Sequence, residues 1–434
     1  MPNYLTPGVY VEEISTLPPS VAEVATAIPA FIGYTAKGAV GEVDVAQVST
    51  LLEYETRFGR AAAGDFVASD DGSSITAADG FPEPSLWYSV NLYFKNGGGR
   101  CYVISVDNES QAISRARFEK GLEALELEDE PTLIVVPEAV GLAQADFDAL
   151  NQAALAQCRK LGDRFAILDV KGGDVTKFRN GVLVDNLMYG AAYHPYLATS
   201  LNYAVDEAKI KVGASAVTLA SLKNTNTALY NATKKNLADL RVTLPPSGAM
   251  AGIFARVDRE RGVWKAPANV GVMSVIGPTV QISHDAQERL NVDDNSGKSI
   301  NAIRAFPGRG TLVWGSRTLA GNDNEWRYVP VRRLFIMIEE SAKKSSAFAV
   351  FEPNDATTWL KVKGMLDSFL FGLWERGALQ GAKPEQAYYV NVGLGKTMTS
   401  QDILEGRMIV EIGVAAVRPA EFIVLRFSHK LAEA

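Results

Sequence analysis

The stretch Thr132–Val170, TLIVVPEAVGLAQADFDALNQAALAQCRKLGDRFAILDV, decides the fold class. Two short apolar runs, Thr132–Val136 and Phe165–Val170, flank a helical stretch, Ala143–Leu161, which Gly162 is placed to stop in a C-cap role. Near-continuous apolar strands carry no polar face, so both faces must be covered. With a helix between them, they predict a mainly parallel or mixed sheet clothed by helices. Working outward, Ala30–Thr35 and Cys101–Val106 read as further strands of the same α/β architecture.

Length makes the chain multi-domain: 434 residues exceed what one simple core holds. The expected parts are an N-terminal arm over 1–27, an α/β domain over 28–204, a peripheral insertion over 205–244, a core over 245–417 and a C-terminal strand and arm over 418–434. Within these, Gly64–Gly80 is acidic, small and glycine-bearing and predicts a mobile surface loop. Residues 205–240 are polar with weak periodicity and predict an insertion or hairpin. Trp359, Val362, Leu366, Phe369, Leu370 and Leu373 recur at steps of three and four, which gives a helix over Thr357–Glu375. A second helix is expected over Val331–Ser345, where Glu339 to Lys343 and Glu340 to Lys344 are i,i+4 pairs in the favourable order.

The two ends do not read as parts of a domain. Val9-Tyr10-Val11-Glu12-Glu13-Ile14 is a short strand between the turn Thr6-Pro7-Gly8 and the stop Pro18-Pro19. Alone it buries no face and must join a sheet edge. At the other end Met408–Val414 and Glu421–Phe427 read as strands, the second leading into a basic tail with Arg426, His429 and Lys430.

Enzymatic chemistry finds little to stand on. Gly393-Leu394-Gly395-Lys396-Thr397 resembles the end of a phosphate-binding loop, but the glycine required five residues before Gly395 is Val390. Thr397–Ser400 reads instead as a loop and helix N-cap. Gly97-Gly98-Gly99 precedes its strand, whereas a dinucleotide loop follows one. The three histidines, His194, His284 and His429, are widely spaced, and His194 sits in an aromatic strand as a core or rim residue. Cys101 and Cys158 read as two buried thiols, so neither a disulfide framework nor a cofactor is expected. The net charge of -7 argues against a nucleic-acid partner. No apolar run is long enough for direct membrane insertion, and the N-terminus lacks a secretory pattern, so synthesis in a bacterial cytoplasm is expected.

Pro7-Gly8-Val9-Tyr10-Val11-Glu12-Glu13 resembles the characteristic opening of the contractile tail sheath family. Family-like segments follow in order. They are Ile28–Thr35, Pro245–Gly248, Ala251–Asn269 with its run Arg256-Val257-Asp258-Arg259-Glu260-Arg261, Ile300–Gly310, Val313–Gly315, Arg317–Leu319, Trp326–Leu334 and Phe351–Asp355. Without the family, the charged run would be a solvated turn, and Trp264, Trp314 and Trp326 would be core aromatics. The resemblance is weakest between about 36 and 240.

The resemblance implies a structural, non-enzymatic subunit that polymerises with itself as hexameric rings stacked into a helical sheath. Such a sheath surrounds an inner tube protein, meets baseplate and terminal cap proteins, and contracts from a metastable state inside a phage tail or phage tail-like particle. The arms would exchange strands between subunits through Val9, Tyr10, Val11, Glu12, Glu13 and Ile14, and through Phe422, Ile423, Val424, Leu425, Arg426 and Phe427. Glu12 and Glu13 would meet Arg426, His429 or Lys430 of another arm. Lys343, Lys344, Lys361 and Lys363 are candidate tube-facing residues. A nucleotide-binding α/β enzyme and a non-contractile shell protein are the alternatives.

Overall fold

The computed structural model describes residues 20–77, 86–182, 185–213, 217–293 and 295–423. The chain divides into two compact units, one formed by 1–23 with 338–417, the other by 24–337 with 418–434.

The larger unit is built on a nine-stranded sheet. From edge to edge its strands are Val270–Gly271, Gly310–Val313, Ile300–Phe306, Gly190–His194, Phe165–Asp169, Leu133–Val135, Pro29–Thr35, Cys101–Asn108 and Asp44–Val48. The six strands from Ile300–Phe306 to Cys101–Asn108 pair in parallel. Antiparallel neighbours close both sides. Every residue of Pro29–Thr35 is buried, as a central, doubly covered strand requires.

Alternation along that strand feeds two helical layers. Phe31 meets Tyr93 of helix Leu86–Lys95 edge to face at 5.1 Å. Ile32 points the other way, onto Gly121 of helix Arg115–Glu126, where a Cβ would stand 2.5 Å from Ile32 Cγ2. Helix Ser247–Arg261 lies on the Leu86–Lys95 side. Its Gly248 comes so close to Ser89 that a Cβ would approach the Ser89 carbonyl oxygen to 2.7 Å. Helix Gln144–Leu161 packs on the Arg115–Glu126 side and ends as expected, with Gly162 left-handed at φ 75° and its N–H on the Cys158 carbonyl.

The Gly64–Gly80 expectation needs correction. Phe66–Ala68 and Ile75–Ala77 form a hairpin, not a mobile loop. It joins Lys211–Val212 and Val217–Thr218 in a four-stranded sheet. Phe66 and Ala68 are buried around an exposed Val67 and share a small core with Ile210, Val212, Leu219, Leu222, Tyr230 and Leu237. The acidic composition belongs to the turn: Asp71 Oδ1 accepts from Ser69 Oγ at 2.6 Å and Ser73 N at 3.0 Å, with Gly72 at φ 69°. The 205–240 stretch adds to that hairpin the helices Leu219–Thr225 and Thr227–Asp239.

In the smaller unit, helix Ala356–Glu375 buries Val362, Met365, Leu366, Leu370 and Leu373, and packs on a two-stranded antiparallel sheet, Tyr388–Val392 with Val410–Val414. The helix expected over Val331–Ser345 runs from Val329 to Ser345, and the boundary between the units falls inside it.

Candidate assembly site

The enzyme-like motifs resolve into structural turns. Gly393 to Thr397 closes a tight turn in which the N–H groups of Lys396, Thr397 and Met398 all point at the Gly393 carbonyl, at 3.1–3.2 Å. A phosphate loop aims such groups at its ligand; here they are spent. The following helix, Ser400–Leu404, starts from Thr399 with a reciprocal capping box to Asp402. Gly97 to Gly99 wraps the ring of Tyr93, whose hydroxyl accepts from Gly99 N at 3.0 Å.

Cys101 and Cys158 are free, buried thiols, and burial pushes both upward in pKa. His194 is buried at the end of its strand, and burial lowers its pKa. Among the described residues no group of three or more His, Cys, Asp and Glu side chains is placed to hold a metal ion.

Two buried carboxylates were missed by sequence reasoning. Glu138 accepts from the N–H groups of Tyr34 and Leu86, each at 2.7 Å, the second at the start of helix Leu86–Lys95. Burial pushes it up to about 8 against those two donors. Asp169 accepts from Ser247 N at 2.8 Å, at the start of helix Ser247–Arg261, and burial pushes it up to about 7. Both complete helix N-termini. The donors Tyr34 N, Leu86 N and Ser247 N are backbone groups, which marks both acids as fold-holding.

The charged run Arg256–Arg261 is not a solvated turn, as expected without the family, but the last turns of helix Ser247–Arg261. Asp258 is buried against Arg333, Nη1 to Oδ1 at 3.0 Å and Nη2 to Oδ2 at 2.6 Å, with the guanidinium over Phe254 at 4.5 Å. A signal existed: Asp258 lies four residues after Phe254 and beside Val257, on the apolar face. Trp264, Trp314 and Trp326 are half-buried rather than core. Trp326 is stacked under Arg332 at 4.7 Å and meets Phe335 at 5.0 Å.

The assembly residues divide sharply. Val9, Tyr10, Val11, Glu12, Glu13, Ile14, Val424, Leu425, Arg426 and Phe427 lie outside the described residues, as do His429 and Lys430. Phe422 and Ile423 are 72% and 81% exposed and belong to no strand, although a strand was expected from Glu421. Glu421 instead turns its carboxylate inward to Arg317, Nη2 to Oε2 at 2.6 Å. Of the four candidate lysines, Lys343 and Lys344 both reach Glu340, at 3.2 and 3.5 Å. Lys363 bonds Asp367 at 3.1 Å and the Val390 carbonyl at 2.5 Å. Lys361 is exposed with no ion pair among the described residues.

The strands Tyr388–Val392 and Val410–Val414 pair only with each other among the described strands, while Lys363 takes the Val390 carbonyl and Leu379 bridges Ala416 just past the second strand. Tyr389 is 48% exposed and Asn391 is exposed, beside buried Val390 and Val392.

Comparison with known proteins places these features. The family model described as phage tail sheath protein central domain matches residues 112–319, and the phage tail sheath C-terminal domain matches residues 321–430. A tail sheath protein of Vibrio phage KVP40 is 23% identical over 185 residues, 42% of this chain. That match spans only 26% of the relative's own length. Among solved structures, the sheath complex of an extracellular contractile injection system, PVC, in the contracted state is 32% identical over 99% of both chains, with a TM-score of 0.69. The contracted helical sheath of the anti-feeding prophage is 31% identical over 98% of this chain and 99% of its own, with a TM-score of 0.68.

Proposed function

The chain belongs to the phage tail sheath family, and we propose that it polymerises as stacked hexameric rings around an inner tube and contracts to drive that tube through a target envelope. The observation that carries this reading is end-to-end similarity, at 32% identity, to a sheath solved in its contracted state. A structural role in a phage tail or tail-like contractile particle follows from the family itself.

Segments 1–27 and 418–434 act in this reading as arms. Their strand-forming stretches, Val9–Ile14 and Val424–Phe427, add to the edges of the Tyr388–Val392 and Val410–Val414 pair of other copies. Main-chain ladders suit the task, because each bond contributes about 0.5–1.5 kcal/mol whatever the side chain. Glu12 and Glu13 facing Arg426, His429 or Lys430 would add register more than energy. Baseplate and terminal cap proteins complete the particle, and the work needs no nucleotide. Full-length similarity to an injection-system sheath, against partial matches to phage sheaths, favours a phage-derived injection system over an infectious phage.

Electron microscopy of the full chain expressed alone tests this. Long hollow cylinders are expected, and loss of residues 1–19 should leave folded monomers. Persistent monomers of the intact chain would remove the sheath reading. Saturable nucleotide binding or turnover would instead favour an α/β enzyme, and a single assembly state with no shorter, wider form would favour a passive shell.

A further inference from the structure

The chain passes between its two units at three places, 23/24, 337/338 and 417/418. Inside the larger unit, a residue close to each crossing is held by an ion pair that is buried or half-buried. Thr26 lies two residues past Val24, Arg333 four before Met337, and Glu421 three past Arg418.

The first pair holds two of these points together. Arg333 forks onto Asp258, and its Nη2 also donates to the Thr26 carbonyl at 2.8 Å. Thr26 Oγ1 donates to Asp258 Oδ2 at 2.5 Å. The Arg333 and Asp258 side chains are 3% and 6% exposed. The second pair holds the third point. Glu421 accepts from Arg317 Nε and Nη2, from Asn291 Nδ2 at 2.9 Å and from the Tyr328 hydroxyl at 3.3 Å. Arg317 is itself pinned: its N–H donates to Asn301 Oδ1 at 2.7 Å, Asn301 Nδ2 returns a bond to its carbonyl, and its Nη1 reaches the Asn291 and Gly321 carbonyls. Burial alone would raise the Glu421 pKa, yet these donors hold it below the usual value. With side chains 4% and 20% exposed, Arg317 and Glu421 do not form an ordinary surface bridge, which contributes little.

We propose that Asp258–Arg333 and Arg317–Glu421 are root clamps. These positioning residues fix the chain at Thr26 and at Glu421, the points from which the two terminal segments run, so that the arms start pre-ordered for a second copy of this chain. The proposal rests on the arm reading above. Its physical content is entropic: a segment anchored at its root loses less freedom when its far end is captured. Forked arginine–carboxylate contacts supply direction as well as energy. On the smaller unit's side, Glu23 meets Arg376, an exposed and therefore weaker tie.

The native cysteines are both buried, so a single exposed cysteine can carry a nitroxide label. Phe422→Cys reports the C-terminal root and Ala25→Cys the N-terminal one. In the full chain held as monomer, Glu421→Ala should shorten the correlation time at position 422 by at least about threefold and leave position 25 unchanged. Asp258→Asn should do the reverse. Should that variant fold poorly, Thr26→Val removes one bond of the same clamp and should give a smaller change at position 25. Arg317→Lys, which keeps the charge and loses the fork, should fall between wild type and Glu421→Ala at position 422. Equal mobility at position 422 in wild type and Glu421→Ala, or equal changes at both positions, would overturn the proposal. Pelleting of assembled cylinders is then expected to fall in Glu421→Ala. If wild type itself forms none, the sheath reading fails while the label result still judges the clamps.

Discussion

Glu138 occupies the space that a side chain at Gly33 would need: a Cβ on Gly33 would stand 2.5 Å from Glu138 Oε2. Gly33 lies within the interior strand Pro29–Thr35, and the carboxylate beside it bonds Tyr34 N from one oxygen and Leu86 N from the other. Strand, helix N-terminus and acid are thus one assembly. Gly33→Ala must push the carboxylate off its donors or bend the strand. A loss of about 1–3 kcal/mol is expected, read as a lower urea midpoint, because overpacking here also disturbs a buried polar contact. An unchanged midpoint would mean the acid can move freely.

The same acid sets a pH dependence. Burial raises the Glu138 pKa from 4.5 to about 8. A folded-state pKa above the unfolded one means the group's contribution is full below about pH 4.5 and is lost as pH climbs through 8. Asp169, raised to about 7, acts in the same direction. Glu138→Gln keeps one acceptor and sets an NH2 against the other N–H, costing about 1–3 kcal/mol at pH 5. The gap to wild type should narrow steadily from pH 5 to pH 8 in thermal unfolding. Parallel curves across that window would contradict the assignment.

Arg164 is 1% exposed in its side chain and one of the largest fully buried residues. It forks onto Asp163 and donates to the Leu125 and Glu128 carbonyls at 3.0 Å, at the C-terminal end of helix Arg115–Glu126. Removing the cation strands an acid and two carbonyls. Arg164→Leu should cost about 3–5 kcal/mol in chemical denaturation. Arg164→Lys should recover part of that loss, since it keeps charge at the helix end without the fork.

The sheet was legible in the sequence because its strands are apolar on both faces and its longest helix ends in Gly162. Where the apolar signal is carried by only two or three residues, composition hid it: Phe66 and Ala68 vanished behind the acid-rich turn around Asp71. The long-range pairs were invisible for another reason. Asp258 meets Arg333 across 75 residues and Arg317 meets Glu421 across 104. No local period encodes a partner so distant. Glu421 therefore reads in the sequence as the first residue of a strand, whereas its carboxylate is the last inward tie before exposed Phe422 and Ile423.

The four candidate lysines are not equivalent. Lys343, Lys344 and Lys363 already neutralise Glu340 or Asp367 on their own helices, and Lys363 also holds the Val390 carbonyl. Recruiting them to an acidic tube would first break those contacts. Lys361 is exposed and has no such tie among the described residues. In co-sedimentation with the inner tube protein, Lys361→Glu should weaken retention of the uncontracted sheath, with an effect that shrinks as salt rises. Lys343→Ala should change retention by less than about twofold, the scale of an exposed pair. Equal losses for the two variants would show that both helices, Val329–Ser345 and Ala356–Glu375, contact the tube. No loss in either would remove these lysines from the contact altogether.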